Sequence, residues 1–267
     1  MDLRDDPVLW PALVALVGGL GLVIGSFLNV LIWRVPRGES VVRPRSRCPR
    51  CGHPLSALEN VPVLAWLALR GRCRACRAPI GVRYPLIELL TGGLFAGTAA
   101  WLGPVAVLPA FLFLAAVAVA LGAIDLDVRR LPNQILLPSL AVAPVLLAVA
   151  GLVEGEGAAL ARAVIGAGAM FAFYFLLAVA YPAGMGWGDV KLAPLLGMFL
   201  GWVGWGALVV GSFAAFVLGG VFSLGLMLTG RAGRKTGIPF GPWMLLGAAI
   251  GLVWGEALWS AYLGLVV

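Results

Sequence analysis

Two aspartates of this chain are the residues best suited to chemistry. Asp125 lies in GAIDLDVRRLPN at 122–133 and Asp189 in GMGWGDVK at 184–191, each where an apolar stretch meets a loop. Ionisable groups beside hydrocarbon are costly and mark functional positions by default. Two carboxylates sharing one pocket cannot both ionise easily, so one stays protonated while the other accepts a proton from water, as aspartyl proteolysis requires. Gly186 and Gly188 have no Cβ and let a substrate strand come close. Asp189 before Val190 fits a helix-capping role equally well, and from these residues alone both readings stand.

A second constellation is metal-binding. Cys48-Pro-Arg-Cys51 and Cys73-Arg-Ala-Cys76 hold all four cysteines of the chain. Two C-x2-C knuckles can offer four thiolates tetrahedrally to one zinc. The hydrophilic stretch at 34–83 has few aliphatic residues, so a metal staple supplies what burial cannot, and the zinc is structural. His53 could replace one thiolate, but four cysteines already close the site, so it reads as a surface residue of the knuckle.

The elements that must position these groups are membrane helices. Of 267 residues, 61% are hydrophobic and 12% charged, against about 45–50% and about 25% in soluble domains, which excludes a water-soluble globule. Uncharged runs cover 7–33, 89–124, 131–153, 163–188, 192–230 and 236–255. A crossing takes roughly 20 residues. The second and fifth runs are long enough for two crossings and break at Gly103-Pro104 and between Gly201 and Gly206, which predicts an all-α polytopic membrane protein with about eight transmembrane helices. The first run follows Asp2, Asp5 and Asp6 rather than a basic segment, so it is expected to be a retained span and not a signal peptide.

Charge placement orients the chain. The stretch at 34–83 carries eleven arginines against Glu39 and Glu59, a net +9. Arg129, Arg130, Lys191, Arg231, Arg234 and Lys235 fall on the same side, and Glu154 and Glu156 on the other, so this side is expected to be cytoplasmic with both termini outside. The tryptophans at 33, 101, 202, 205 and 259 read as interfacial belt residues. No aromatic-rich single-strand platform accompanies the basic residues, so anionic lipid headgroups rather than nucleic acid are the expected partner. The expected organisation is a first transmembrane helix at 1–33, a zinc-binding insertion at 34–83 and a seven-helix peptidase domain at 84–267.

Taken together, the chain resembles the bacterial type 4 prepilin leader peptidases, membrane aspartyl proteases with a G-x-G-D motif. The resemblance runs through GSFLNVLIWRVP at 25–36, RSRCPRCGH at 45–53, ENVPV at 59–63, LRGRCRAC at 69–76, RYPLIELLTG at 83–92 and IPFGP at 238–242. In that family the first catalytic aspartate precedes a proline by seven residues, as Asp125 precedes Pro132, which leaves Asp127 the weaker candidate. The second ends the G-x-G-D motif, here Gly186 to Asp189. Ala65 departs from the serine common in the family, with little expected consequence.

The resemblance implies cleavage of prepilins and pseudopilins, whose short basic leader ends in glycine before an apolar helix often beginning with phenylalanine. It also implies methylation of the new N-terminus with S-adenosylmethionine, since members with the cysteine-bearing insertion share that second activity. With no G-x-G-x-x-G after a strand, the methyl donor needs another kind of pocket. Gly25, Asn29, Arg34, Glu59, Asn60, Tyr84 and Glu88 are the candidates, each with a purely structural alternative such as an interhelical bond or a snorkelling arginine. Lys191 could tune the acidic pair or anchor its helix, and Pro239 and Pro242 shape the start of the last span. A basic leader would be repelled by the +9 insertion, so Asp127 or Glu88 is the expected acceptor. A proton-coupled transporter using Asp125 and Asp189 as a relay is the competing reading.

Overall fold

The computed structural model describes residues 4, 6–182, 184–230 and 239–266. Arg231, Arg234, Lys235 and Ile238, together with Asp2 and Asp5, lie outside the described residues. Among those described, nine α-helices follow one another: α1 (Leu9–Arg34), α2 (Leu64–Ala68), α3 (Arg83–Leu102), α4 (Leu108–Val128), α5 (Asn133–Glu154), α6 (Gly157–Ala180), α7 (Trp187–Val203), α8 (Trp205–Leu228) and α9 (Gly241–Val266). Seven are long and apolar enough to cross a membrane. At 17 residues, α7 falls just short of that length. Its brevity fits its surroundings, because residues from Asp189 to Trp202 are almost all buried in protein rather than facing lipid. Elsewhere large apolar side chains point outward, among them Leu16, Val23, Phe213 and Val221. In a membrane these meet acyl chains, so the fold hides its backbone polar groups inside helices and leaves its apolar surface uncovered.

Helix boundaries depart from the uncharged runs where a charged residue lies within a helix. Arg83 begins α3. Arg162 lies one turn and a half inside α6, where its guanidinium donates to the carbonyls of Gly201 (3.3 Å) and Trp202 (3.1 Å) and so caps the end of α7. Glu256 lies inside α9 and accepts the backbone N–H of Ala207 at 3.1 Å, near the start of α8. The turn between α7 and α8 is the single residue Gly204. Gly201 and Gly206, expected to flank a loop, sit in helices against Arg162 and Trp259.

The chain divides into two compact units, Met1–Ala123 and Ile124–Val267. In the first, α1 lies along α3 on a stripe of small residues. A Cβ at Gly25 would stand 2.7 Å from the Glu88 Cα, so only glycine allows this approach. Between these helices come two knuckle loops, α2 and a 3-10 turn at Leu58–Asn60. Arg37 covers the Trp33 ring at 3.6 Å at the end of α1.

In the second unit α6 lies against α7 and α8 against α9, again through glycines. A Cβ at Gly197 of α7 would come within 2.8 Å of the Gly166 carbonyl carbon of α6. With apolar lipid on every other side, such close packing of small residues is what holds neighbouring helices together.

Candidate active site and metal centre

The four thiols of the first unit converge. Cys48 N–H donates to the His53 carbonyl at 2.9 Å and Cys73 N–H to the Ala78 carbonyl at 2.8 Å, so each C-x2-C is folded into the same tight loop. Each loop turns through a left-handed residue, Gly52 (φ 72°) and Arg77 (φ 57°). Isolated bridges Arg47–Pro54 and Arg72–Pro79 close the loops at their bases. All four Sγ atoms lie within 4.8 Å of one another. Sγ separations of 3.8 Å (Cys48–Cys76) and 4.0 Å (Cys51–Cys73) fit the edge of a tetrahedron, about 3.8 Å for metal–sulfur bonds of about 2.3 Å. These cysteines could therefore hold one tetrahedral divalent ion.

The electrostatics of the cluster also suit a cation. The Cys51 and Arg50 backbone amides pull the Cys48 thiol down to about 6. Cys51 is drawn down by the His53 amide, but the Cys76 thiol, burial and the other two thiols outweigh that and push it up to about 12. Four clustered thiols cannot all ionise without a positive charge among them. His53 is not part of the cluster. Its Nε2 faces Glu59 Oε1 at 3.5 Å. Glu59 is itself held below the usual carboxylate range, first by the Ser56 amide and then by the Ser56 hydroxyl.

The seven methyl-donor candidates also lie in the first unit, on α1, on α3 and beside the 3-10 turn. Asn29 Nδ2 donates to the Tyr84 carbonyl at 3.1 Å, tying α1 to α3. Arg34 donates to the Ser40 carbonyl at 2.9 Å. Glu88 is buried, accepts the Val63 N–H at 2.7 Å and bonds Ser26. Val63 has a positive φ of 59°, so this carboxylate holds a strained turn at the foot of the insertion. Glu59 is committed to Ser56 and His53, while Asn60 ends the 3-10 turn. The Asn29, Arg34, Glu59 and Glu88 side chains are thus engaged on protein partners, and no step of methyl transfer is drawn from the seven candidates.

The acidic pair belongs to the second unit. Asp125 sits in the last turn of α4 and Asp189 in the first turn of α7, 5% and 8% exposed. Their charges are close enough to act on each other. Three backbone features hold them. Gly241 N–H, at the start of α9, is hydrogen-bonded to Asp125. Gly186 N–H donates to Asp189 Oδ2 at 3.3 Å, while Asp189 N–H returns to the Gly186 carbonyl at 3.0 Å. Leu131 packs against both motifs, and a Cβ at Gly188 would stand 3.1 Å from its side chain.

Pro132 is the N-cap residue of α5, in an extended conformation that turns the chain out of the Asp125 loop. Lys191 Nζ donates to Asn133 Oδ1 at 3.0 Å, joining α7 to the first residue of α5. Asp127 is exposed, unlike Asp125 two residues before it. Pro239 precedes α9 and Pro242 lies in its first turn, which sets Phe240 and Gly241 beside the pair. Sequence reasoning missed Tyr174. This residue of α6 is fully buried and feels the charge of Asp189. Its one sequence signal is a hydroxyl inside the uncharged run at 163–188. Two enclosed carboxylates that feel each other's charge do not ionise together easily, an arrangement that suits one to act as base and the other as acid.

Residues 20–102 match the bacterial peptidase A24 N-terminal domain, and residues 112–224 match the type IV leader peptidase family. A prepilin leader peptidase/N-methyltransferase of Aeromonas hydrophila is 39% identical over 286 residues, covering 96% of this chain and 95% of that protein. One from Burkholderia pseudomallei (strain 1026b) is 39% identical over 88% of this chain and 84% of its own. One from Pseudomonas aeruginosa is 34% identical over 91% of each. No solved structure matches. With relatives similar along nearly their whole length and family models meeting both the cysteine-bearing region and the region of the aspartates, the chain belongs to the type IV leader peptidase family.

Proposed function

We infer that this integral membrane protein is an aspartyl endopeptidase that removes the basic leader of type 4 prepilins and pseudopilins after glycine, and that it then methylates the new N-terminus. The observation that carries the peptidase reading is the buried, mutually interacting pair Asp125 and Asp189 held by backbone amides of Gly241 and Gly186. The unprotonated carboxylate takes a proton from water as the water oxygen bonds to the scissile carbonyl carbon, and the protonated one gives its proton to the carbonyl oxygen. When the C–N bond breaks, the leaving nitrogen receives the proton held by the first carboxylate, and the re-forming carbonyl returns a proton to the second. Roles belong to the pair, whose protons are shared. Such acid–base work supplies about 10²–10⁴-fold, with positioning and electrostatics adding the rest.

Lys191, Gly186, Gly188 and Pro132 support the pair, and Asp127, exposed where Glu88 is buried, is the group that receives the basic leader. Cys48, Cys51, Cys73 and Cys76 bind a structural zinc. The methylating activity is supported by the names of the relatives and by the insertion at 34–83, with S-adenosylmethionine as methyl donor. Arginine bias supports a bacterial inner-membrane protein with insertion and aspartates on the cytoplasmic side. No observation favours the transporter.

The test is cleavage of a glycine-phenylalanine prepilin by purified enzyme in detergent, followed by mass spectrometry. Loss of the leader in wild type but not in Asp125→Asn or Asp189→Asn is expected, with a further methyl mass that depends on S-adenosylmethionine. Full cleavage by either variant would overturn the peptidase reading.

A further inference from the structure

Tyr174 has no solvent exposure, and among the described residues no protein group hydrogen-bonds its hydroxyl. The ring is fixed on three sides. Its centroid lies 5.5 Å from Phe173, 5.6 Å from Phe216 and 6.3 Å from Phe240. Phe240 immediately precedes Gly241, the residue whose amide holds Asp125. Tyr174 and Asp189 interact electrostatically, yet no hydrogen bond joins them. The aromatic frame thus holds a buried hydroxyl without a protein partner against Phe240, next in the chain to the residue whose amide holds Asp125.

A phenylalanine would fill the same apolar frame without burying an unpartnered hydroxyl, which is costly in a low-dielectric interior. The hydroxyl makes sense where an oxygen atom comes to lie between it and the carboxylate. Resting on the reading of Asp125 and Asp189 as the catalytic pair, we propose that Tyr174 is a third catalytic residue, whose hydroxyl donates a hydrogen bond to the water that lies against Asp189. As this water loses one proton to the unprotonated carboxylate, its oxygen bonds to the scissile carbon and becomes one oxygen of the tetrahedral intermediate. The Tyr174 bond stays on that oxygen throughout. The phenol neither gains nor loses its proton, so the balance of the reaction is carried by the two carboxylates alone. Its effect is to fix the direction of attack and to stabilise charge on the attacking oxygen.

The experiment compares wild type, Tyr174→Phe and Asp189→Asn on the same prepilin. Tyr174→Phe keeps the ring and removes one hydroxyl. Its kcat is expected to fall about 10- to 100-fold with KM unchanged, the loss of one hydrogen bond to a charged centre that forms with water rather than with the peptide. Unchanged kcat in Tyr174→Phe beside an inactive Asp189→Asn overturns the Tyr174 role alone, and a changed melting temperature with normal kcat marks a packing residue and overturns it too. Full cleavage by Asp189→Asn overturns the acidic pair, and this role with it. A readout that needs no turnover is the wild-type minus Tyr174→Phe ultraviolet resonance Raman difference spectrum, which isolates this phenol. A hydrogen-bonded phenol supports the proposal, and one free of hydrogen bonds overturns it.

Discussion

The backbone N–H of Gly241 is hydrogen-bonded to Asp125, and a methyl group on Gly241 would stand 2.7 Å from Asp125 Oδ2. The start of α9 therefore sets where one carboxylate of the pair points. Gly241→Ala is expected to push that carboxylate aside while leaving α9 helical, since alanine is a better helix former. Displacing a reacting group by about 1 Å can cost about 10²-fold. Cleavage assays should show kcat reduced on that scale with an unaltered far-ultraviolet circular dichroism spectrum, and normal turnover would mean that Asp125 tolerates a different position.

Asparagine at position 125 or 189 removes an ionisable group and keeps the shape. Each single variant is expected to lose about 10²–10⁴-fold in kcat, the range for positioned acid–base groups. The double variant should lose little more than either single one, because residues acting as a unit are not additive. Thermal stability should be unchanged or higher, since an amide avoids the desolvation of a buried charge. Measured melting temperatures of the three variants in detergent check this. A large drop would assign the aspartates to holding the fold.

Much of this was legible in the sequence because its signals are local. The apolar helices follow from where charges are missing, seven of them long enough to cross a membrane, and the four cysteines read as a candidate metal site because both thiols of each knuckle come from four adjacent residues. The pairing of Asp125 with Asp189 was reachable through the family resemblance, but the contact that links them to α9 through Gly241 was not. It joins residues 116 apart in sequence, and no periodicity encodes such a bond. The break in the run at 192–230 was placed across Gly201 to Gly206, whereas only Gly204 turns, because glycine serves close helix packing as readily as it serves turns. Tyr174 carries no local signal beyond its hydroxyl, and its meaning depends on α6 lying against α7.

That pairing of α6 with α7 can be tested at its narrowest point. A Cβ at Gly197 would stand 2.8 Å from the Gly166 carbonyl carbon and 3.1 Å from the Ala167 Cα. These are backbone atoms and cannot rotate away. Gly197→Ala is expected to destabilise the protein by ~1–3 kcal/mol through overpacking. Because α7 carries Asp189 at its first turn, activity should fall together with stability, unlike in the asparagine variants. Thermal unfolding and cleavage measured on one preparation separate the two behaviours, and a fully stable, active Gly197→Ala would show that the helices move apart at little cost.

The four-cysteine cluster, as a zinc site, gives a pH dependence whose sign follows from its thiols. Without metal, Cys51 keeps its proton up to about 12, while Cys48 is ionised above about 6. Zinc needs thiolates, so binding between these values must expel at least the Cys51 proton, and below about 6 it must expel the Cys48 proton as well. Each expelled proton weakens apparent affinity about tenfold per unit of falling pH. Affinity measured against a competing chelator should therefore decline from pH 8 to pH 6 and more steeply below. One zinc per chain is expected in wild type, with loss of most of it in Cys73→Ser. An affinity independent of pH, or full zinc content in that variant, would show that the four thiols do not act as the ligand set.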